Sequence, residues 1–150
     1  MKAKTSIREA TRGDCPAIAA LNVELGYDAP VDEIGRRLDQ IFETPGQAVF
    51  VAEVDGQVAG WIFVAIVVSL ETEMFGEIRG LIVTERLRGG GIGADLVTAG
   101  ERWAEAAGVS RMRVRSNVLR DRTRGFYERL GYKVTKTQNV FDRTLTSSTD

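Results

Sequence analysis

Apolar and polar residues alternate along the chain in two ways, from one residue to the next as in strands and at the wider spacing of helices. In the first half, this pattern predicts one strand, two helices and then three strands. An Asp-Gly pair joins two of the strands and is a strong hairpin signal. In chain order the elements are a strand at 5–10, helices from Asp14 to Leu25 and from Pro30 to Ile41, strands at 48–54 and 57–70 around Asp55 and Gly56, and a strand at 77–83.

A glycine-rich segment follows, and the periodicity then resumes. A strand on each side of the helix after the glycines requires at least one parallel crossover. The expected fold class is therefore mixed α/β (α+β), in a single domain that spans residues 1–150. The elements predicted in this half are a helix from Ile92 to Ala107, a strand at 111–116, a helix at 122–130 and a closing hairpin of 132–137 and 140–145.

The composition is that of one soluble globular domain. The 150 residues are 43% hydrophobic with three prolines, and no segment approaches the roughly 20 apolar residues of a membrane span. The N-terminus carries lysines without the apolar core of a signal peptide, and the only cysteine, Cys15, excludes an internal disulfide. We therefore expect a cytoplasmic protein that has no membrane partner.

The absence of histidine excludes more chemistry than any other feature of the composition. Ser-His-Asp catalysis, Cys-His catalysis and His-liganded zinc are all removed, so an acid or a base must be Asp, Glu, Tyr, Lys or the single Cys. We expect no metal site. The formal net charge of -1 argues against a nucleic-acid partner.

The stretch RLRGGGIGADLV, residues 86–97, places four glycines between a strand and a helix. Backbone N–H groups in such a turn point at an anion, and the helix dipole adds to the attraction. A nucleotide P-loop needs Lys and then Ser or Thr after its last glycine, whereas Ala94 and Asp95 follow Gly93. A dinucleotide-binding turn would begin its parallel sheet unusually late in the chain. A plain flexible turn remains an alternative.

Three motifs in register resemble the GNAT family of N-acetyltransferases. Arg88, Gly91 and Gly93 fit its R/Q-x-x-G-x-G/A signature, LIV precedes them at 81–83, and FYERLGY follows at 126–132. The resemblance covers nearly the whole chain. Within the family, the chain looks like a small bacterial branch that includes aminoglycoside acetyltransferase-like proteins. It implies a mixed central sheet of about six to seven strands flanked by about four helices.

The resemblance also implies acetyl-CoA as the co-substrate and assigns residues to it. The backbone of Leu81, Ile82 and Val83 would pair with the pantetheine arm, and Arg88 would pair with a phosphate, with a solvated surface arginine as the alternative. Glycine permits the close backbone approach that a diphosphate requires. The N–H groups that would hold the diphosphate are those of Gly89, Gly90, Gly91, Ile92, Gly93 and Ala94.

Acetyl transfer to an amine needs a base, an oxyanion donor and a proton for the departing thiolate. By resemblance, Glu77 is the base, a backbone N–H near Ile82 is the oxyanion donor, and Tyr127 is the acid. An exposed strand residue is the alternative reading of Glu77, and core packing is the alternative for Tyr127. Asn117 matches a motif of the bacterial branch, while Arg120 stands where asparagine is common, so which of them contacts the co-substrate is open.

The acceptor that the resemblance implies is a primary amine, in a small molecule or a peptide. Charge along the chain is segregated, which suits an anionic co-substrate on one side and a cationic acceptor on the other. The acceptor segments carry Glu24, Asp28, Asp32, Glu33, Glu71, Glu73 and Glu77, and the co-substrate side carries Arg86, Arg88, Arg120, Arg122 and Arg124. A noncatalytic acyl-CoA sensor and an interaction domain are the alternative functions, and a homodimer is left open.

Overall fold

A computed structural model describes residues 4–116 and 121–146 of the chain. The chain divides after Arg115 into two compact units, each with its own elements. Within its described residues, the first unit consists of strands and helices around one sheet. The strands are β1 (Thr5–Glu9), β2 (Gln47–Val54), β3 (Gln57–Val67), β4 (Phe75–Val83) and β5 (Met112–Val114), and the α-helices are α1 (Cys15–Glu24), α2 (Val31–Glu43) and α3 (Ile92–Ala106).

The strands form one sheet in the order in which they occur along the chain, β1-β2-β3-β4-β5. Neighbouring strands from β1 to β4 are antiparallel. β4 and β5 are parallel, with α3 connecting them. The predicted parallel crossover after the glycines is thereby confirmed.

Different helices cover the two faces of the sheet. On β3, Ile62 and Val64 are fully buried beneath α3, where a Cβ added at Gly100 would lie 2.9 Å from a methyl carbon of Val64. Trp61 and Phe63 alternate with these residues along β3 and so point to the opposite face. There they pack against a core cluster with residues of α1 and α2. We call this side of the sheet the α1/α2 face.

Glycine and proline mark the ends of the helices as the sequence predicts. Pro16 lies in the first turn of α1, where its missing N–H costs no hydrogen bond. Gly26 and Gly108 follow α1 and α3 with φ of 84° and 96°, the left-handed conformation that ends a helix. None of the described helices has the length and apolar character needed to cross a bilayer.

The second unit contains α4 (Asp121–Arg129), which confirms the helix predicted at 122–130. The closing hairpin predicted over 132–137 and 140–145 is not confirmed, because the structure assigns no strand to either segment. Apolar side chains here are exposed, 82% for Val140 and 89% for Phe141, so no buried face favours strand pairing. The described residues form five strands, and the expected six to seven are not confirmed.

Candidate functional site

β4 contains a bulge in the middle of the sheet. Phe63 of β3 pairs with Gly80 and the next residue, Val64, pairs with Ile78, so Arg79 is an extra residue on β4. A bulge of this kind locally bends a strand and redirects its side chains and backbone groups. The only signal for it in the sequence is the neighbouring Gly80, since a glycine inside a strand often marks a bulge.

Past the bulge, β4 separates from β5. Only Gly76, Glu77 and Ile78 pair with β5, although β4 continues to Val83. In the described part of the chain, no strand pairs with this edge of residues 81–83. Backbone N–H and C=O groups on such an edge can bond an extended ligand as they would bond another strand. The residues predicted to bind a pantetheine arm therefore lie on an open strand edge.

The turn after β4 leaves the first N–H groups of α3 without a partner in the helix. Gly91 is the N-cap residue and no side chain caps it, and the first helical bond runs from Asp95 N to Gly91 O at 3.0 Å. The N–H groups of Ile92, Gly93 and Ala94 precede that bond. Together with the positive end of the helix dipole, they form a site suited to an anion.

Two glycines of this turn adopt conformations that favour glycine. φ is 86° at Gly89 and 90° at Gly91, and a Cβ added at either residue would meet no atom of the protein within 4 Å. A side chain here would strain the backbone and would enter the open space in front of the turn. Gly93 lies in the first turn of α3 without a positive φ. Its own backbone therefore does not require glycine.

Hydrogen bonds tie the end of α1 to the chain that leaves β4. Glu24 accepts bonds from Thr84 Oγ1 and Glu85 N, both at 2.9 Å. These bonds hold the pKa of the Glu24 carboxyl below its usual range, and the bond from the Glu85 backbone has the larger effect. Arg88 is exposed, and its Nε donates to the carbonyl oxygen of Val83 at 3.2 Å.

Glu77 is buried, with 5% of its surface exposed, and lies between two arginines. Arg79 Nη1 donates to one carboxylate oxygen at 2.6 Å and Arg115 Nε donates to the other at 3.2 Å. An ionised carboxylate offers about four acceptor positions, so these bonds leave room for a water or an amine. The alternative reading of Glu77 as an exposed strand residue is wrong. The sequence contains no sign that Arg115 pairs with Glu77, because the contact depends on the register between β4 and β5.

Tyr127 lies on α4 in the second unit. It is buried, and burial raises the pKa of its hydroxyl to about 12, so the group keeps its proton at neutral pH. Its ring makes edge contacts with Phe126 and Tyr132, with ring centroids 4.9 and 5.6 Å apart. A buried ring with a retained proton is compatible with packing and with proton donation alike.

Two candidate residues, Asn117 and Arg120, lie outside the described residues. Within residues 4–116 and 121–146, no cluster of three Cys, Asp or Glu side chains could hold a metal ion. The candidate residues that the first unit brings into one region are those of β4, the glycine turn and the start of α3. Tyr127 belongs to the second unit.

A cavity of about 790 Å³ opens on the α1/α2 face, where α1 and α2 cover β2 and β3. Trp61 lines it, and the indole Nε1 donates to Asn22 Oδ1 at 3.0 Å. A Cβ added at Gly80 would lie 2.8 Å from the indole ring, so Trp61 packs on β4 beside the bulge. The cavity is lined mainly by apolar side chains, Ile18, Ile34, Leu38, Ile41, Val49, Trp61 and Phe63, with Arg37 and Glu43 as its charged residues.

Several acidic residues that were expected to face a cationic acceptor already bind other groups of the protein. Glu33 forms ion pairs with Arg36 and Arg37 on α2. The hydrogen bond from Arg36 is the largest of the causes that lower the pKa of this carboxyl. Glu24 and Glu77 have the partners described above. The acidic charge of these segments is therefore partly neutralised before any acceptor binds.

Known proteins share this arrangement of strands and helices. The Acetyltransferase (GNAT) family model matches residues 9–132, and no curated protein matches the sequence significantly. The aminoglycoside N-acetyltransferase AAC(6')-Iy in complex with CoA is 20% identical, with a TM-score of 0.84 and 97% of each chain covered. AAC(6')-Ih from Acinetobacter baumannii is 18% identical, with a TM-score of 0.82 and 95% and 99% of the two chains covered. A putative acetyltransferase from Agrobacterium tumefaciens str. C58 is 24% identical, with a TM-score of 0.80 and 93% and 99% covered.

Proposed function

Because the chain belongs to the GNAT acetyltransferase family, we propose that it is a cytoplasmic N-acetyltransferase. It moves the acetyl group of acetyl-CoA to a primary amine by direct attack in a ternary complex. The observation that carries the proposal is the open edge of β4 followed, after residues 84–90, by the uncapped start of α3. An extended arm that ends in a diphosphate, as in CoA, matches that succession of an edge and an anion site.

The binding of acetyl-CoA uses backbone groups for the most part. The pantetheine arm lies along Leu81, Ile82 and Val83 as an additional strand. Arg88 supplies a positive charge beside the phosphates, and Asn117 is a further contact to the co-substrate. The N–H groups that hold the diphosphate are those of Gly89, Gly90, Gly91, Ile92, Gly93 and Ala94. The structure of AAC(6')-Iy in complex with CoA supports this assignment at the level of the fold.

In the reaction, the neutral amine nitrogen attacks the carbonyl carbon of the thioester. An amine that arrives as an ammonium ion first loses one proton, and it loses a second after the attack. Glu77 accepts these protons, directly or through a water, and returns them to solvent. The buried position of Glu77 favours the water-mediated route, because two guanidiniums already occupy part of its carboxylate.

The tetrahedral intermediate places a negative charge on the former carbonyl oxygen. A backbone N–H near Ile82 donates a hydrogen bond to that oxygen. When the C–S bond breaks, Tyr127 donates its proton to the departing thiolate and is protonated again from solvent. A hydroxyl with a pKa of about 12 is a weak acid but is fully protonated at the start of each turnover.

The two ion pairs of Glu77 favour one second candidate, a sensor that binds acyl-CoA without catalysis. A carboxylate whose charge is already balanced by Arg79 and Arg115 has a structural role without any reaction. Such a sensor binds acetyl-CoA as the enzyme does. It releases no free thiol in the presence of an amine.

A thermal shift followed by a thiol-release assay tests both candidates. Acetyl-CoA at about 100 times its dissociation constant should stabilise the protein by about 2.7 kcal/mol. Free CoA should then appear only when an amine is added. Stabilisation without thiol release over a broad amine panel would favour the sensor, and no stabilisation at all would overturn both proposals.

A further inference from the structure

Two arginines next to β4 point to the α1/α2 face of the sheet. Phe75 lies on that face, because it precedes Gly76, where an added Cβ would point at Ala104 of α3, 3.0 Å away on the other side. The guanidinium carbons of Arg111 and Arg113 lie 4.7 and 4.5 Å from the centroid of the Phe75 ring. Both guanidiniums therefore contact the same aromatic ring on this face.

In the part of the chain that the structure describes, Arg79 and Arg115 form ion pairs with a carboxylate, whereas Arg111 and Arg113 do not. Glu77 accepts from Arg79 and Arg115, as described above. Within the described residues, no carboxylate lies within 4 Å of Arg111 or Arg113. Two like charges in contact with one aromatic ring repel each other, and an anion bound at these guanidiniums would relieve that repulsion.

Packing holds these guanidiniums in place before any ligand arrives. Phe75 is 4% exposed, so its ring is fixed by the core. Arg113 is half-buried, and Arg111 is exposed with one long hydrogen bond, 3.4 Å, to Thr72 Oγ1. Cation–π contact restrains both groups without using their N–H donors. Those donors are the forked groups that bind carboxylates in a bidentate way.

The same face connects this pair of arginines to the cavity. The strand register places one residue of each strand in a row across the sheet: Gln47 of β2, Ala65 of β3, Glu77 of β4 and Arg113 of β5. Gln47 lines the cavity. With about 4.8 Å between strands, the row spans roughly 14 Å and passes Glu77 between its two ends. An amino acid spans the single step from Glu77 to Arg113, and an extended dipeptide, at about 3.5 Å per residue plus an apolar side chain, reaches on toward the cavity.

We propose, on the basis of the function proposed above, that the acceptor is an amine that also carries a carboxylate. Arg111 and Arg113 bind the carboxylate, the amine faces Glu77, and an apolar side chain enters the cavity. Free amino acids and short peptides with apolar side chains have this chemistry. The ammonium that the charge segregation predicted is retained, but the acceptor is a zwitterion.

A polycationic acceptor fits this face less well. One of the similar solved structures is an aminoglycoside acetyltransferase in complex with sisomicin. Here a molecule with several ammonium groups would meet two uncompensated guanidiniums and a mainly apolar cavity. Repulsion and loss of hydration would both oppose its binding.

Matched acceptors test the proposal directly. L-Leucine, L-phenylalanine and the dipeptide leucyl-phenylalanine are each compared with their carboxamides, and sisomicin is added as the polycation. We expect kcat/KM for the acids to exceed that for the amides at least about tenfold, the effect of one charge-assisted hydrogen bond. In Arg113→Gln and in Arg111→Gln the ratio of acid to amide should fall, and in the double variant it should approach one. Arg102→Gln on the exposed side of α3 is the control and should keep the wild-type ratio.

Calorimetric binding of the same acids and amides, without acetyl-CoA, separates this inference from the proposed function. Preferential binding of acids that depends on Arg113 would support the carboxylate site even if no acetyl transfer is found. Acetyl transfer with equal ratios for acids and amides, or with sisomicin as the better acceptor, would overturn the inference and leave the N-acetyltransferase in place. Absence of acid binding in every pair would also overturn it.

Discussion

Glu77 is the residue whose two proposed contributions are easiest to separate. If it removes the proton of the amine, Glu77→Gln should lower kcat at neutral pH. The activity should recover as the pH rises toward the amine's own pKa of about 10, where the free amine no longer needs a base. A full pH profile with one good amine measures this.

The Glu77 variant needs a control for the loss of a carboxylate charge and a second readout for the loss of its ion pairs. Glu73→Gln changes an exposed carboxylate of the loop before β4 and should leave the pH profile unchanged. If Glu77 only attracts the acceptor, its variant should show a higher KM with kcat little changed. Loss of activity in proportion to a lower melting temperature would instead identify Glu77 as an anchor for Arg79 and Arg115.

Tyr127 provides a test in which packing and chemistry are separable. Tyr127→Phe keeps the ring contacts with Phe126 and Tyr132 and removes the hydroxyl. We expect near-normal affinity for acetyl-CoA and a kcat lower by about 10²-fold, the usual scale for loss of a general acid. Tyr132→Phe is the matched control. Equal effects of the two substitutions on kcat and on melting temperature would favour the packing role.

At the scale of elements, the glycine before α3 can be compared with the glycine that follows the same helix. Gly91 and Gly108 both have a positive φ, 90° and 96°, and an added Cβ would meet no protein atom at either position. Gly91→Val and Gly108→Val should therefore strain the backbone to a similar degree. Only Gly91→Val should abolish acetyl-CoA binding, as measured by calorimetry on the folded variants. Equal affinities in the two variants would remove the diphosphate assignment.

Gly93→Val extends this comparison to a glycine with helical backbone. No positive φ makes the substitution costly there, so the fold should tolerate it. A β-carbon next to the free N–H groups should still weaken acetyl-CoA binding, because it would hold the diphosphate away. Unchanged affinity in Gly93→Val would limit the anion site to the residues before α3.

Elements with strong local signals were predictable from the sequence, whereas the register and side-chain contacts between strands distant in sequence were not. The hairpin of β2 and β3 has an Asp-Gly turn, and α3 has an apolar stripe and a terminal glycine, so local physics sets their positions. The bulge at Arg79 and the pairing of Glu77 with Arg115 depend on the register between strands distant in sequence. Arg111, Arg113 and Arg115 alternate within the strand predicted at 111–116, but this alternation alone does not identify the side chains that lie opposite them.

At the scale of the whole molecule, the fold of the first unit depends on an ion pair remote from the candidate site. Arg8 on β1 donates to both carboxylate oxygens of Asp14, each at 2.8 Å, and to Glu53 of β2 at 2.7 Å. The Arg8 bonds, first among several causes, lower the pKa of Asp14. Its ionised form therefore stabilises the fold above the unfolded-state pKa of about 3.9, and this is lost as the pH falls through the lower, folded-state value.

Asp14→Asn should accordingly destabilise the protein by about 2 kcal/mol at pH 7, the scale of a charge-assisted bond lost at a buried position. The melting temperature should fall by about 5 °C. The difference from the wild type should shrink as the pH is lowered below about 4, because both proteins then lack the charge. Asp28→Asn, in an exposed loop, should show neither effect. A pH-independent difference would contradict the electrostatic cause.

The contact of Trp61 with Gly80 and Asn22 gives the molecule a built-in optical reporter. The chain has two tryptophans, and the second, Trp103, lies on α3 and so on the other side of the sheet. In Trp103→Phe, the fluorescence would come from Trp61 alone. A ligand that fills the cavity displaces water from the indole and should shift its emission to shorter wavelength. Acceptor binding could thus be followed in real time, in the absence of acetyl-CoA and before any chemistry occurs.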